Sequence, residues 1–282
     1  MKRRTLLQGL GAGIWGLGVH DWSGALAPWL PGSLTTIGIQ LYTVRRDLQR
    51  DVEGTLARVA EIGFREVEFA GFPEGAGASL RAMLDRHRLT APSGHIPLQA
   101  IRADWDRTLD DAAAVGQRYV VVAFIDPAER RTLDGWKRVA ALFNKAGEAS
   151  RARKIQFAYH NHDFEFAPVE GTIGYDVLLG ETDPTLVQFE MDLYWITKGG
   201  RDPLDYFAKY PGRFPLLHVK DMTAEPARGF ADLGKGVIDF KRIFRRASQA
   251  GAKHFFYEQD VTPGPPFDSA KASYQYLKRL RF

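Results

Sequence analysis

Residues 155–166 read IQFAYHNHDFEF, an apolar run that turns abruptly into a cluster of imidazoles and carboxylates. A strand that fills a core and delivers polar side chains at its carboxyl end has this pattern. Three later runs repeat it, ending in FEMD (189–192), LLHVKD (216–221) and FFYEQD (255–260). Strands that each carry chemistry at the same end argue for one shared site.

The rest of the chain keeps the same rhythm. Apolar periodicity predicts strands at 36–44, 66–70, 89–95 and 119–125, then 155–159, 186–195, 214–221 and 254–260. Helices are predicted between them at 48–62, 78–88, 100–115, 132–153, 175–179, 203–209 and 239–250, with a last one at 266–280. Gly63 and Gly116 close two of these helices, and Asp202 caps another. The run YVVVAFI at 119–125 is continuously apolar, as in a parallel sheet buried on both faces. Strand–helix units without a break in composition predict an α/β chain folded as a single (β/α)8 TIM barrel over residues 31–282. A length of 282 residues and 45% hydrophobic content suit that fold. No glycine-rich nucleotide fingerprint follows the first strand, which speaks against an open doubly wound sheet.

Residues 1–30 read differently. Lys2-Arg3-Arg4 leads through Thr5-Leu6-Leu7 into a short glycine-rich apolar run, the layout of an export signal. Paired arginines before two leucines are similar to a twin-arginine signal, so the chain is expected to be exported to a bacterial periplasm. The run is too short for a stable membrane-spanning helix, so any membrane contact is expected only through this segment if it stays uncleaved. Ala25-Leu26-Ala27 fits the small-residue rule for cleavage, although Pro28 would follow the cut. The alternative is a basic arm on a cytoplasmic protein. Cysteine is absent, which excludes disulfides and thiolate metal sites. The formal charge is +4, half of it from Lys2, Arg3 and Arg4 set against Asp21, and the remainder is too small for nucleic-acid binding.

Side chains alternate along a strand, so His160 and His162 share a face, as do Glu190 with Asp192, His218 with Lys220, and Glu258 with Asp260. One imidazole or carboxylate from each of the last four strands gives His160, Asp192, His218 and Glu258 as a ligand set. Mixed nitrogen and oxygen donors suit one divalent ion such as Mn²⁺, Zn²⁺, Co²⁺ or Fe²⁺ and suit Ca²⁺ poorly.

At these residues the sequence resembles the xylose-isomerase-like barrels, which include sugar epimerases, hydroxypyruvate isomerases and inosose dehydratases. The resemblance spans about residues 35–282. It rests on Asp192, on His218 in HVKD, on Glu258 in YEQD, on the LGKGVID loop at 233–239 and on GGRDP at 199–203. It implies a metal held by Glu, Asp, His and Glu from strands five to eight. The chain departs from that pattern at strand five, where the epimerases have Glu and this sequence has His160. Two opposed glutamate bases are implied for epimerisation, and only Glu258 is present here. Inosose dehydratases are similarly His-rich at this strand, so the departure favours elimination. Glu165 is a second candidate for the fourth ligand if its loop folds back.

The chemistry common to these reactions is proton abstraction next to a carbonyl, with a metal stabilising the enediolate as a Lewis acid. Glu258 or His162 is then the expected base, and Lys220 or Glu165 the acid or oxyanion partner. Two blander roles stay open: Lys220 paired with Asp192 or Asp221, and His162 orienting Glu165. Gln40, Tyr42, Glu68 and His95 are expected to meet sugar hydroxyls at the barrel mouth, and Trp195 to offer a flat wall or to pack beneath a loop. Phe72, Phe164 and Phe166 are expected to cover the site. The reading is a metal-dependent enzyme acting on a small keto-sugar or keto-glycoside by isomerisation, epimerisation or elimination, with homo-oligomers left open. The alternative is an exported, metal-containing sugar-binding protein without turnover.

Overall fold

The computed structural model describes residues 32–282. The expected export signal lies outside the described residues. Eight parallel strands close into a barrel: β1 Gly38–Gln40, β2 Glu66–Phe69, β3 Thr90–Ile96, β4 Tyr119–Val122, β5 Gln156–His160, β6 Val187–Asp192, β7 Leu216–Val219 and β8 His254–Tyr257. β1 pairs with β2 on one side and β8 on the other, so no open edge remains.

The predicted alternation of strands and helices holds, with local differences that have physical causes. The helix expected at 48–62 is two, Arg45–Arg50 and Val52–Ile62. Between them Asp51 is extended, and its carboxylate accepts from the Gly54 amide at 2.9 Å. Asp104 likewise divides Ala100–Ala103 from Trp105–Val115 and accepts from the Arg107 amide. An aspartate on the polar side of a helical pattern looks like a surface position, but its carboxylate competes for backbone amides and starts a new helix. The stretch expected as one helix at 239–250 is also two, Phe240–Phe244 and Ala247–Ala250.

Several strands end sooner than expected. β1 gives way at Leu41 to a 3-10 turn, and β6 stops at Asp192, so Trp195 sits in the short helix Leu193–Lys198. β8 stops at Tyr257, which leaves Glu258 and Asp260 just beyond the strand. Two small hairpins were not expected, one pairing Pro168–Val169 with Thr172–Ile173 and one pairing Asp221–Met222 with Phe230–Ala231.

The core has two parts. Outward side chains of the strands pack against the helices, and inside the barrel Tyr119, Val121, Ala158, Leu216 and Phe256 form an apolar floor. Gly38 makes room for that floor, since a Cβ there would lie 2.5 Å from the Phe256 ring. Above the floor the interior turns polar, with Gln40, Glu68, Ser93, His160, Glu190, Asp192, His218 and Lys220 all buried. Buried charge of this density adds little to stability, so the apolar jacket carries the fold and the polar layer needs another reason to exist.

Candidate active site

The pleat assembles the site. Along β5, Phe157 and Tyr159 turn outward to Phe143, with ring centroids 5.0 and 5.4 Å away. Ala158 and His160 therefore point inward. His160 lies in register with Glu190 of β6, and Asp192 with His218 of β7.

His218 is the hub. Its Nδ1 lies 2.7 Å from Glu258 Oε2, and its Nε2 lies 2.6 Å from Glu68 Oε2 and 3.1 Å from Glu190 Oε2. His95 of β3 reaches the same two glutamates, 2.8 Å from Glu190 and 3.2 Å from Glu68. His160 Nδ1 lies 3.2 Å from Glu190 Oε2, and its Nε2 lies 3.9 Å from Asp192 Oδ2. Lys220 completes the group, with Nζ 2.8 Å from Glu258, 3.0 Å from Asp260 and 3.1 Å from Asp192.

Charge follows from these distances. Burial opposes protonation of His218, yet Glu190, Glu68 and Glu258 outweigh it and hold its pKa well above the usual imidazole range. The same contest at His95, with burial opposed chiefly by Glu68 and Glu190, ends at about 9. His160 goes the other way: burial and then the nearby His218 and His162 push it well below the usual range, so it is neutral. His162 falls to about 3, mainly through burial and then Lys220. Burial lifts Asp192 to about 6 against the pull of Lys220 and His218. Burial also opposes charge on Glu258, but Lys220 and His218 prevail and hold it ionised. Lys220 stays a cation despite burial because Asp192, Glu258 and Asp260 surround it.

Among the described residues two donor sets emerge, each with ligand atoms lying within 4.8 Å of one another: His95, His160, Glu190 and His218, and Asp192, His218 and Glu258. His160 Nδ1, Glu190 Oε1 and Asp192 Oδ2 are buried without a well-formed hydrogen bond. Buried donors with unsatisfied lone pairs, drawn from imidazole and carboxylate, fit a divalent transition ion. The predicted set is thus gathered around His218 but divided, with His160 beside His95 and Glu190, and with Asp192 beside Glu258. Glu190 was not predicted as a ligand, although it shares a strand face with Asp192. His95 was expected to hold hydroxyls and stands in a donor set instead; only barrel closure brings β3 across to β6 and β7.

Other predicted residues fall elsewhere. Gln40 and Glu68 do not reach the mouth: both are fully buried, Gln40 donating to Glu68 Oε2 at 2.7 Å and the Ser93 hydroxyl to Oε1. Glu165 stands apart from both donor sets. The turn Phe164–Phe166 carries it to the outer side of β5, where Tyr159 Oη donates at 2.5 Å and the His162 amide at 2.9 Å. The His162 backbone, not its ring, thus orients Glu165. Asp221 does not meet Lys220; it accepts from the Gly234, Gly236 and Ile238 amides and pins the 233–238 loop. Gly236 suits that close approach, because a Cβ there would lie 2.2 Å from Asp221 Oδ1.

Above the donors lies a cleft of about 580 Å³ whose lining includes Tyr42, Phe124, His162, Lys220, Glu258 and Asp260. Trp195 sits behind it: its amide donates to Asp192 Oδ1 at 2.8 Å, and its ring backs His162 at 5.3 Å. Phe164 stacks on His162, Phe72 lines a neighbouring crevice, and Phe166 packs into the core against Tyr175.

Closed parallel barrels with an imidazole–carboxylate cluster at the carboxyl ends of their strands form a class whose chemistry is built from those ends. Within that class the chain belongs to the xylose isomerase-like TIM barrel family, whose model matches residues 56–280. It is 27% identical over 213 residues to an inosose dehydratase from Lacticaseibacillus casei, covering 64% of this chain and 71% of that protein. An inosose dehydratase from Geobacillus kaustophilus is 25% identical over 270 residues, covering 80% of this chain and 86% of the relative. A solved sugar phosphate isomerase/epimerase from Parabacteroides distasonis superposes with a TM-score of 0.77 at 28% identity, covering 86% of this chain and 98% of that one.

Proposed function

We propose that this chain is an enzyme acting on a small carbohydrate, a keto-sugar or keto-glycoside, and that it removes the proton next to the carbonyl and then eliminates a neighbouring group. The observation that carries this reading is the group at the end of β5. A buried imidazole, His160, stands where two-base epimerisation would need a second carboxylate facing Glu258. The similarity to inosose dehydratases points the same way.

Glu258, ionised on the cleft wall, takes the proton. The Lys220 ammonium beside it puts fixed positive charge where the oxyanion develops. Asp260 lines the same wall 3.0 Å from Lys220, with burial and Glu258 raising its carboxyl against the pull of that cation; in its protonated form it would give a proton to the departing group. Neutral His162 hydrogen-bonds the sugar. Asp192, His218 and Glu258, with His160 and Glu190 adjoining, would hold one divalent ion. When bound, that ion supplies Lewis-acid polarisation of the carbonyl.

Proton NMR in D₂O and mass spectrometry over a panel of ketoses, inososes and keto-glycosides test the reading. Metal-dependent release of water or an aglycone is expected. Deuterium uptake with every atom of the sugar conserved would instead mean isomerisation. Neither uptake nor product, with metal bound, would leave a sugar-binding protein. Export is proposed as well, on the Arg3-Arg4 pair. Replacing both with Lys should hold the protein in the cytoplasm, and normal passage across the inner membrane would refute a twin-arginine route.

A further inference from the structure

A second cavity of about 300 Å³ adjoins the cleft, the two sharing His95, Ile96 and Pro97 as a wall. It lies between the Gly71–Glu74 loop and the Trp105–Val115 helix, and its sides are mostly apolar, formed by Phe72, Ile96, Pro97, Ala100 and Ala103. Charged and polar side chains, Glu74, Asp104, Arg107, Thr108 and Asp111, also line it, and one further polar group is buried. Gln117 is 5% exposed, lines the cavity, and keeps both its amide nitrogen and its amide oxygen without a hydrogen-bond partner.

A buried amide with neither end satisfied is costly and uncommon. The backbone is shaped around this one. Along β3 the alternation sends Ser93 to Glu68 and His95 to Glu190 inside the barrel, and turns Gly94 outward beneath Gln117. A Cβ on Gly94 would lie 2.1 Å from Gln117 Nε2, so only glycine leaves room for the amide where it stands. The loop across the cavity is tied to the helix by an Arg107–Glu74 ion pair and by the Gly75 amide donating to Asp111 at 3.1 Å. Apolar surface at Phe72, Ile96, Pro97, Ala100 and Ala103, a set of charged groups including Glu74, Arg107 and Asp111, one buried amide without a partner and a wall in common with the cleft describe a place for part of a ligand whose remainder occupies the cleft. A cavity of about 150 Å³ accommodates benzene, so this one has room for a substituted aromatic ring.

We propose that this cavity is the subsite for the aglycone of a glycoside substrate, an aryl group carrying one hydroxyl or carbonyl that pairs with the Gln117 amide. The proposal rests on the carbohydrate reading of the cleft and narrows its substrate class.

The test compares the metal-loaded full chain with Gln117→Met, which keeps the volume and loses the amide, and with Ala103→Trp, which fills the cavity from its exposed rim. The probes are a 4-hydroxyphenyl glycoside of a keto-sugar and the methyl glycoside of the same sugar, followed by calorimetry and by KM. The wild type should bind the aryl glycoside about tenfold or more tighter, from ring burial plus one hydrogen bond. Both substitutions should erase that preference and leave methyl-glycoside affinity unchanged, which also shows that the variants are folded. Equal affinity for the two glycosides in the wild type, or a preference that survives both substitutions, would overturn the subsite. Turnover without preference sinks the subsite alone; preference without turnover of either glycoside sinks the proposed reaction and leaves the subsite standing.

Discussion

Lys220 Nζ lies 2.8 Å from Glu258 Oε2, so the cation at the end of β7 and the carboxylate just past β8 form one buried unit. Neither is comfortable alone in that environment, and the same ammonium also faces Asp192 and Asp260. Removing one partner of such a group leaves uncompensated charge, at a cost of about 3–5 kcal/mol. Lys220→Met should therefore lower the stability of the metal-free protein by about that much. It should cut kcat by about 100- to 1,000-fold, as loss of an oxyanion donor does. Added Mn²⁺ or Zn²⁺ should restore part of the stability, since a divalent ion supplies the missing charge. Thermal melts with and without metal, set beside kcat, check this; an unchanged kcat would place Lys220 outside the chemistry.

His218 belongs to both donor sets, whereas Asp192 and His95 each belong to one. His218→Ala should abolish metal binding wherever the ion sits. Asp192→Asn should come close to doing so, while His95→Gln should weaken affinity by about 10- to 100-fold, as loss of a supporting contact does. Elemental analysis after dialysis distinguishes the cases. Full occupancy in Asp192→Asn with loss in His95→Gln would move the ion to the deeper set of His95, His160, Glu190 and His218.

The barrel was legible in the sequence because its signal is local: apolar runs at regular spacing, each closed by a polar end. His160, Asp192 and His218 could be brought to one face by parity, since each lies on a strand whose inward face period two determines, and Glu258 follows one residue past the end of β8. His95 was not legible as a donor, because nothing local tells β3 that closure will place it 2.8 Å from Glu190. Glu165 failed for a related reason. Parity applies only while the strand lasts, and β5 ends at His160, after which a 3-10 turn sends Glu165 to Tyr159 on the outer side. The breaks at Asp51 and Asp104 were hidden because a capping carboxylate and a solvated one look alike in a periodic pattern.

Burial lifts the Glu165 carboxyl from 4.5 to about 7, against hydrogen bonds from Tyr159 and the His162 amide. The folded-state value is raised, so the contribution of this group to stability is fully present below about pH 4.5 and is lost as pH rises through 7. Glu165→Gln imitates the protonated acid, with one acceptor and one donor in place. It should match the wild type near pH 4.5 and be more stable at pH 8, by up to about 3 kcal/mol for a shift of this size. Urea denaturation at the two pH values checks the sign. A variant less stable than wild type at pH 8 would mean that the ionised carboxylate is favoured where it stands.

The unsatisfied amide of Gln117 should reveal itself in the free protein, before any ligand is added. Both polar ends are buried without a partner, and leaving such a group unpaired costs about 1–3 kcal/mol. Methionine has nearly the same length and volume and no polar atom to desolvate, so Gln117→Met should raise stability by about that amount. The cavity and the Gly94 contact are kept, which separates the polar effect from a change in packing. A gain in stability paired with loss of aryl-glycoside preference is the trade expected of a residue kept for binding. Chemical denaturation of the two proteins without ligand is sufficient. A variant less stable than the wild type would show that the amide has partners in solution, ordered water among them, and that its cost to the free protein is already met.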